Sequence, residues 1–248
     1  MLEGNLKVVV AAEVRGKPLR HELKYPLSFL QYQVLRRKIK TVMKPDPHAE
    51  PEGQYHIRTL YIDDVKNSAY FEKMSGVGTR QKYRLRIYNL RDSPVKFERK
   101  IRIYNYVLKE SEVIKREEAE KIINGDIHFL ANSQSPLLKR FYAECRLNLM
   151  RPTLLLEYLR EPYIYPVGNV RVTFDFDLRT NIVTKPVKFF EKDVPTVKVG
   201  DEATVVLEVK YDDVLPEVVR GLLSEEVGLR QALGKFALCK TAKGVLIF

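Results

Sequence analysis

Along most of its extended segments this chain alternates charged with apolar residues, and the charged side is built almost wholly from Arg, Lys and a few carboxylates. In Arg20-His-Glu-Leu-Lys-Tyr25, residues Arg20, Glu22 and Lys24 share a face opposite Leu23 and Tyr25. In Gln81-Lys-Tyr-Arg-Leu-Arg-Ile87 the charged set is Lys82, Arg84 and Arg86. The pattern returns at Lys96, Glu98, Lys100 and Arg102, at Arg171, Thr173, Asp175 and Asp177, and at Glu208 and Lys210. Alternation by itself describes any half-buried strand, since successive side chains point to opposite faces. A solvated face, however, mixes Thr, Ser and Gln with its charges. Faces this cationic, strand after strand, fit an interior: if the apolar sides pack outward against helices and the sheet closes, the charges line a tunnel.

The expected fold is therefore α+β, a closed antiparallel β-barrel forming a charged tunnel with helices packed on its outside, in one domain over residues 1–248. A chain of 248 residues with 45 % hydrophobic and 30 % charged content suits one such unit. No apolar run approaches a membrane-spanning length, and Val8-Val-Val-Ala-Ala12 lacks a basic leader. Cys145 and Cys239 lie far apart without metal spacing, which fits core packing in a reducing compartment, so a cytoplasmic location is expected.

Turn and periodicity signals divide the chain further. A first strand is expected around Leu6 to Val14, and another ends at Tyr25. A helix over Leu27 to Met43 carries a stripe of Leu27, Leu30, Val34, Leu35, Ile39 and Val42. A strand at His56 to Asp63 precedes a short helix at Asn67 to Met74. Two long strands, Gln81 to Asn89 and Val95 to Leu108, form a hairpin. Helices follow at Lys115 to Ile123 and Pro136 to Leu149, then strands at Thr153 to Arg160, Asn169 to Leu178 and Ala203 to Tyr211. A final helix is expected over Pro216 to Leu233.

A formal charge of +11 implies an anionic partner. Arg and Lys crowded into one cavity repel and lose hydration unless polyanions or internal carboxylates compensate. Polyphosphate groups meet that demand, with Arg giving bidentate contacts and Lys point charges. Glu22, Glu98, Asp175 and Glu208 add oxygen ligands suited to a divalent ion that bridges phosphates. The competing reading is a surface ladder of cross-strand ion pairs, but cations outnumber carboxylates on these faces and pairing leaves a surplus. His21, His48, His56 and His128 show no metal spacing. Gly76-Val-Gly78 has no Walker lysine, which excludes a P-loop. Tyr83, Tyr88, Tyr104 and Tyr106 beside basic residues suit base stacking, yet Tyr is also a common strand residue.

The ordered set Arg20-His-Glu-Leu-Lys-Tyr25, Tyr61-Ile-Asp63, Tyr83-Arg-Leu-Arg-Ile-Tyr88, Phe97-Glu-Arg-Lys100, Tyr158-Leu-Arg160, Arg171-Val-Thr-Phe-Asp175 and Leu207-Glu-Val-Lys-Tyr211 resembles the VTC domain, the polyphosphate-polymerase branch of the triphosphate tunnel metalloenzymes. The resemblance runs from about residue 18 to 240. It implies a tunnel in which Lys24, Arg84, Arg86, Lys100, Arg160 and Arg171 grip a nucleoside triphosphate or a phosphate chain. Glu208, assisted by Glu22 or Asp175, would hold Mn2+ or Mg2+. Lys235, in Gly234-Lys-Phe236, is similar to the lysine of the family's C-terminal motif, although its neighbours differ. Arg20, Lys82, Arg102, Lys210 and Tyr158 complete the implied substrate contacts. Arg20 also stands where the wider superfamily carries the first Glu of a Glu-x-Glu-x-Lys strand, which should tilt the site toward gripping phosphate chains.

The implied activity is transfer of the terminal phosphate of ATP, or of another nucleoside triphosphate, to inorganic polyphosphate. Three readings stay open beside it: a metal-dependent triphosphatase or tripolyphosphatase, a non-catalytic polyphosphate-binding module, and a nucleic-acid-binding protein. The last ranks lowest because a narrow barrel cannot take in a duplex, so no nucleic acid is expected as partner. A membrane channel receiving the product would be a separate chain.

Overall fold

Eight long strands and six helices make up most of the computed structural model, which describes residues 13–14, 17–181, 187–200, 204–224 and 226–246. The strands are β1 (Arg20–Leu27), β2 (Tyr55–Asp63), β3 (Thr79–Tyr88), β4 (Val95–Ile103), β5 (Tyr106–Ile114), β6 (Arg151–Tyr165), β7 (Val170–Asn181) and β8 (Val205–Tyr211). The helices are α1 (Phe29–Val42), α2 (Ser68–Met74), α3 (Arg116–Asn124), α4 (Pro136–Asn148), α5 (Glu217–Ser224) and α6 (Lys235–Leu246). With the short edge segments Lys44–Pro45 and Thr196–Lys198, the strands form one antiparallel sheet of ten, so the fold is mixed α+β. Most of the strand expected at Leu6 to Val14 lies outside the described residues; Glu13–Val14 pairs with Lys17–Pro18 as a small ribbon.

The pairing order β7, β8, β1, β5, β4, β3, β2, β6 returns on itself, because β6 bonds to both β2 and β7. Most joints are long. The joint between β1 and β5 rests on two residue pairs, Arg20 with Val107 and His21 with Tyr106. The closure expected from alternation depends on this short joint. Rings brace it on the outside: the His21 imidazole lies 4.9 Å from the Tyr211 ring and 5.0 Å from that of Tyr106.

Two apolar cores coat the outer side of the sheet. Leu60, Tyr83, Leu85 and Phe97 meet Ala119, Ile122, Leu138 and Phe141 of α3 and α4. On the other flank Val172, Phe174, Leu207 and Val209 meet Leu35 and Ile39 of α1 and Val219 of α5. Burying Leu35 and Ile39 contributes about 2 kcal/mol each. Helix α1 begins at Ser28, whose side chain accepts from Gln31 N while Gln31 answers the Ser28 N–H. Leu30 and Val34 of the expected stripe are exposed, and Tyr32 is buried in their place. A polar atom decides this: the Tyr32 hydroxyl donates to buried Glu161 at 2.6 Å, a partner that hydrophobicity cannot reveal. Cys145 and Cys239 are free and buried, their thiols pushed up to about 12 by burial.

Three further expectations are corrected. The strand expected to run on to Leu108 stops at Ile103, where Tyr104, at φ 51°, and Asn105 turn the chain into β5. The helix expected to Leu233 ends at Ser224. An irregular strap follows, and then α6, which the sequence reading lacks altogether. Nor do all helices pack outside. Phe236 and Cys239 of α6 sit against Tyr61, Leu154, Leu156 and Tyr158. Tyr61 and Tyr158 belong to the charged inner face, so α6 covers an apolar stretch of the sheet's inner side.

Arg58, 1 % exposed, ties the segment 187–193 to the sheet by donating to Glu157 at 2.5 Å and to the carbonyls of Phe189, Glu191 and Lys192. Arg58→Met takes the guanidinium from buried Glu157, which keeps the His56 imidazole at 3.4 Å, and from three carbonyls, and should cost about 3 kcal/mol, whereas exposed Leu30→Ala should change stability by about 0.5 kcal/mol or less. Urea unfolding of the two variants checks this, and an Arg58→Met midpoint equal to that of the parent would refute the role.

Candidate functional site: a cation-lined cavity inside the sheet

The inner side of the sheet encloses a cavity of about 400 Å3. Twelve Lys and Arg side chains line it, against two carboxylates, Glu22 and Glu208. The strand period explains the concentration. Lys24 alternates with Leu23 and Tyr25, and Arg84 and Arg86 alternate with Tyr83, Leu85 and Ile87, so each strand sends its charges inward and its apolar residues to the helices.

Seven of the twelve cations are paired with carboxylates. Lys24 Nζ lies 3.1 Å from Glu22 and 3.3 Å from Glu208; Lys100 Nζ lies 2.7 Å from Glu22, and Lys210 Nζ 2.5 Å from Glu208. Glu98, fully buried, accepts from Arg84 Nε at 2.6 Å and faces Arg86 at 3.5 Å. Asp175, 2 % exposed, takes both arms of Arg160 at 2.6 and 2.7 Å and is contacted by Lys235. Burial and Glu208 push the Glu22 carboxyl up, but Lys100, Lys24 and Lys210 together outweigh them and hold it well below the usual range. For Glu208, Lys210, Lys24 and Arg160 likewise overcome burial.

Farther out the pairing stops. Lys73, Arg80, Lys82, Arg102 and Arg230 line the cavity and form no ion pair with a carboxylate among the described residues. Arg80 and Arg102 donate to the carbonyls of Val77 and Tyr104, which leaves their charge uncompensated. Lys82 Nζ stands 4.7 Å from the centre of the Phe236 ring. Burial, then Lys100, Lys24, Arg80 and Lys73, push this ammonium down to about 7. Burial also pushes Lys100 down to about 8 despite its contact with Glu22, with Lys24 and Lys210 adding repulsion.

Of the residues expected from sequence, Lys24, Lys82, Arg84, Arg86, Lys100, Arg102, Tyr158, Arg160, Glu22, Glu208, Lys210 and Lys235 all line this cavity. Arg20 and Arg171 do not. Arg20 is held by Asp212 at 2.9 Å and by the Asn169 carbonyl, and Arg171 by Asp46 at 2.6 Å and the Tyr55 hydroxyl at 2.7 Å. Acids distant in sequence claim both guanidiniums, so neither adds a cation to the cavity lining. Asp175 sits behind Arg160 rather than on the wall, where it fixes that guanidinium.

Sequence reasoning missed Tyr61, Lys73, Arg80, Asn105, Phe236 and the strap residues Arg230 to Gly234. Arg80 was legible, since it shares the face of Lys82 and Arg84 one step earlier. Lys73 and Arg230 carry no strand period that could reveal them. The strap is tied to β1: Gln231 N donates to the Lys24 carbonyl at 3.0 Å, and Lys24 Nζ donates to the Leu233 carbonyl at 3.2 Å.

An anion filling the outer part of the cavity favours protonated Lys82. Tripolyphosphate binding should therefore take up protons at a pH above about 7, and affinity should fall as pH rises through that value. Calorimetry in two buffers of different ionisation enthalpy measures the uptake, and Lys82→Met should remove most of it. Equal heats in both buffers for the unaltered protein would disprove the linkage.

A model of the family described as VTC domain matches residues 19–239. Among solved structures, the Hippeastrum protein HpAC1, described as an adenylyl cyclase with a dominant triphosphatase activity, is 16 % identical, with a TM-score of 0.52 over 90 % of this chain and 96 % of that one. At that identity the likeness concerns the fold alone. The PH1819 protein of Pyrococcus horikoshii OT3 is 13 % identical, with a TM-score of 0.45 over 90 % of this chain and 99 % of that one. A Bacillus halodurans protein described as an adenylate cyclase is 9 % identical, with a TM-score of 0.45 over 86 % of this chain and 96 % of that one. No curated protein sequence matches. Among the described residues no helix is long and apolar enough to cross a membrane. With a family model spanning nearly its whole length and a cation-lined cavity within an antiparallel sheet, the chain belongs to the VTC domain family.

Proposed function

We propose that the circuit of strands walls a tunnel in which this protein transfers the terminal phosphoryl group of ATP, or another nucleoside triphosphate, onto an inorganic polyphosphate chain. The observation that carries this reading is the charge ledger of the cavity: twelve cations, two lining carboxylates, and an outer group of cations with no carboxylate of their own. A triphosphate neutralises part of such a surplus, and a longer chain neutralises more.

In the transfer, a terminal oxygen of the acceptor chain forms a bond to the γ-phosphorus while the bond from that phosphorus to the bridging oxygen breaks, and the nucleoside diphosphate leaves. The acceptor oxygen is already ionised, so no general base is required. Positioning and charge stabilisation carry most of phosphoryl transfer. Arg84, Arg86 and Arg160, each fixed by a buried carboxylate, present guanidiniums whose geometry suits non-bridging oxygens. Lys24, Lys100 and Lys210 supply point charges between them.

A divalent ion fits the donor set in a restricted sense. No three His, Cys, Asp or Glu side chains converge on a point among the described residues, but Mg2+ and Mn2+ bound with phosphates commonly use one or two carboxylates, the phosphates providing the rest. Glu22 and Glu208 are those two, and lysines hold them ionised. When bound, such an ion would neutralise charge developing on the bridging oxygen.

Hydrolysis to orthophosphate is the second reading, favoured by the activity in the description of the Hippeastrum neighbour. It shares the cavity and differs in taking water as acceptor. Incubation with ATP and Mn2+ followed by gel separation of the products distinguishes the two. A ladder of phosphate chains, reduced about 100-fold or more in Arg84→Ala/Arg86→Ala, is the expected result. Orthophosphate alone would assign the triphosphatase reading, and the absence of turnover would assign a binding module.

A further inference from the structure

Helix α1 is apolar on two sides. Tyr32, Leu35 and Ile39 face the core, while Phe29, 56 % exposed, Leu30, 74 % exposed, and Val34 face solvent. Val34 follows Leu30 by one turn, so the two share a face. The neighbouring strap adds Leu229, which is 87 % exposed. On one side of Leu229 the strap is held to α1, where Gln31 Nε2 donates to the Glu226 carbonyl at 3.1 Å and Lys38 pairs with the Glu226 carboxylate at 2.7 Å. On the other side it is held to β1, through Gln231 and the Lys24 carbonyl.

The rest of this outward face is basic. Arg37 continues the line of Leu30 and Val34, Lys40 and Lys44 follow, and no Asp or Glu stands between Leu23 and Pro45 in the sequence. Arg36 and Lys38 are taken by Glu161 and Glu226. Exposed Arg37 and Lys44 form no ion pair among the described residues, and Lys40 reaches Glu161 only at 4.0 Å.

The arrangement selects among occupants. Apolar side chains at one end of the face suit acyl chains, and cations without a counter-charge along the rest suit anionic headgroups, the pattern of a helix seated in a membrane interface. A nucleic acid would leave Phe29, Leu30 and Leu229 unused. A second copy of the same face would set Arg37, Lys40 and Lys44 against like charges.

We propose that the outward face of α1, together with Leu229, docks this protein on an anionic lipid bilayer. Phe29, Leu30 and Leu229 enter the boundary between headgroups and acyl chains, and Arg37, Lys40 and Lys44 meet the anionic headgroups. Arg230, the residue after Leu229, lines the tunnel cavity, so docking holds the mouth of the cavity at the lipid surface. The inference does not rest on the phosphoryl-transfer reading.

The experiment is co-sedimentation of the whole chain with phosphatidylcholine vesicles and with vesicles that also contain phosphatidylserine. Binding is expected only with phosphatidylserine present, weakened about 10-fold or more by Leu30→Glu and by Leu229→Glu, and about five-fold by Arg37→Ala. The chain has no Trp, so Leu30→Trp gives a single reporter. Its emission should move to shorter wavelength on the vesicles and be quenched by brominated lipid, whereas Val113→Trp, at an exposed apolar position on β5, should stay unquenched. Tripolyphosphate competes for the cavity cations and should leave vesicle binding in place; displacement by it would assign the lipid to the cavity and overturn the proposal. No binding to phosphatidylserine vesicles, binding unchanged in both glutamate variants, or self-association lost in Leu30→Glu without vesicle binding would each overturn it as well.

Discussion

Buried carboxylates amid a crowd of cations are the constraint on which this structure depends. Glu22, Glu98, Asp175 and Glu208 are each 4 % exposed or less, and each is gripped by at least two cations. Breaking such a pair strands a buried charge at a cost of several kcal/mol. The four acids sit on β1, β4, β7 and β8, so their ion pairs run around the sheet. One of them spans the weakest joint. Strands β1 and β5 share two residue pairs, but Lys100 on β4 reaches past β5 to Glu22 on β1 and bridges electrostatically what the backbone leaves thin.

The inner and outer cations consequently differ in kind. The inner ones are locked by their carboxylates and present fixed geometry. The outer group has no such counterweight, and each member raises the energy of the others, as the lowered affinity of Lys82 for its proton records. That part of the wall is unfavourable alone and favourable once an anion enters, so ligand binding and protein stability are coupled by mass action.

The fold was legible where one physical rule decided the side-chain direction. Strands β1, β3, β4, β7 and β8 announce their inner faces by alternation, and the cavity lining follows from those faces. The rule fails at Leu154-Leu155-Leu156, where both faces are apolar: Leu155 meets the outer core, while Leu154 and Leu156 meet α6 on the inner side. That run was the available signal that something covers the interior there, and it went unread. Arg20 and Arg171 misled for another reason. Alternation gives a residue's face, but whether a guanidinium reaches the cavity depends on Asp212 and Asp46, which sequence distance conceals. The turn at Tyr104 was invisible for a third reason, since the left-handed backbone it needs is seldom taken by an aromatic residue.

Lys24 occupies two networks at once. Its ammonium joins the Glu22 and Glu208 lattice and also holds the Leu233 carbonyl, while its own carbonyl receives Gln231. An ammonium has only three protons to give. Any phosphate oxygen that draws on Lys24 must compete with Glu22, Glu208 or the strap for one of them, so cavity occupancy is written into the anchoring of the chain's last segment, and hydrogen exchange at the Gln231 N–H becomes a gauge of what lies inside.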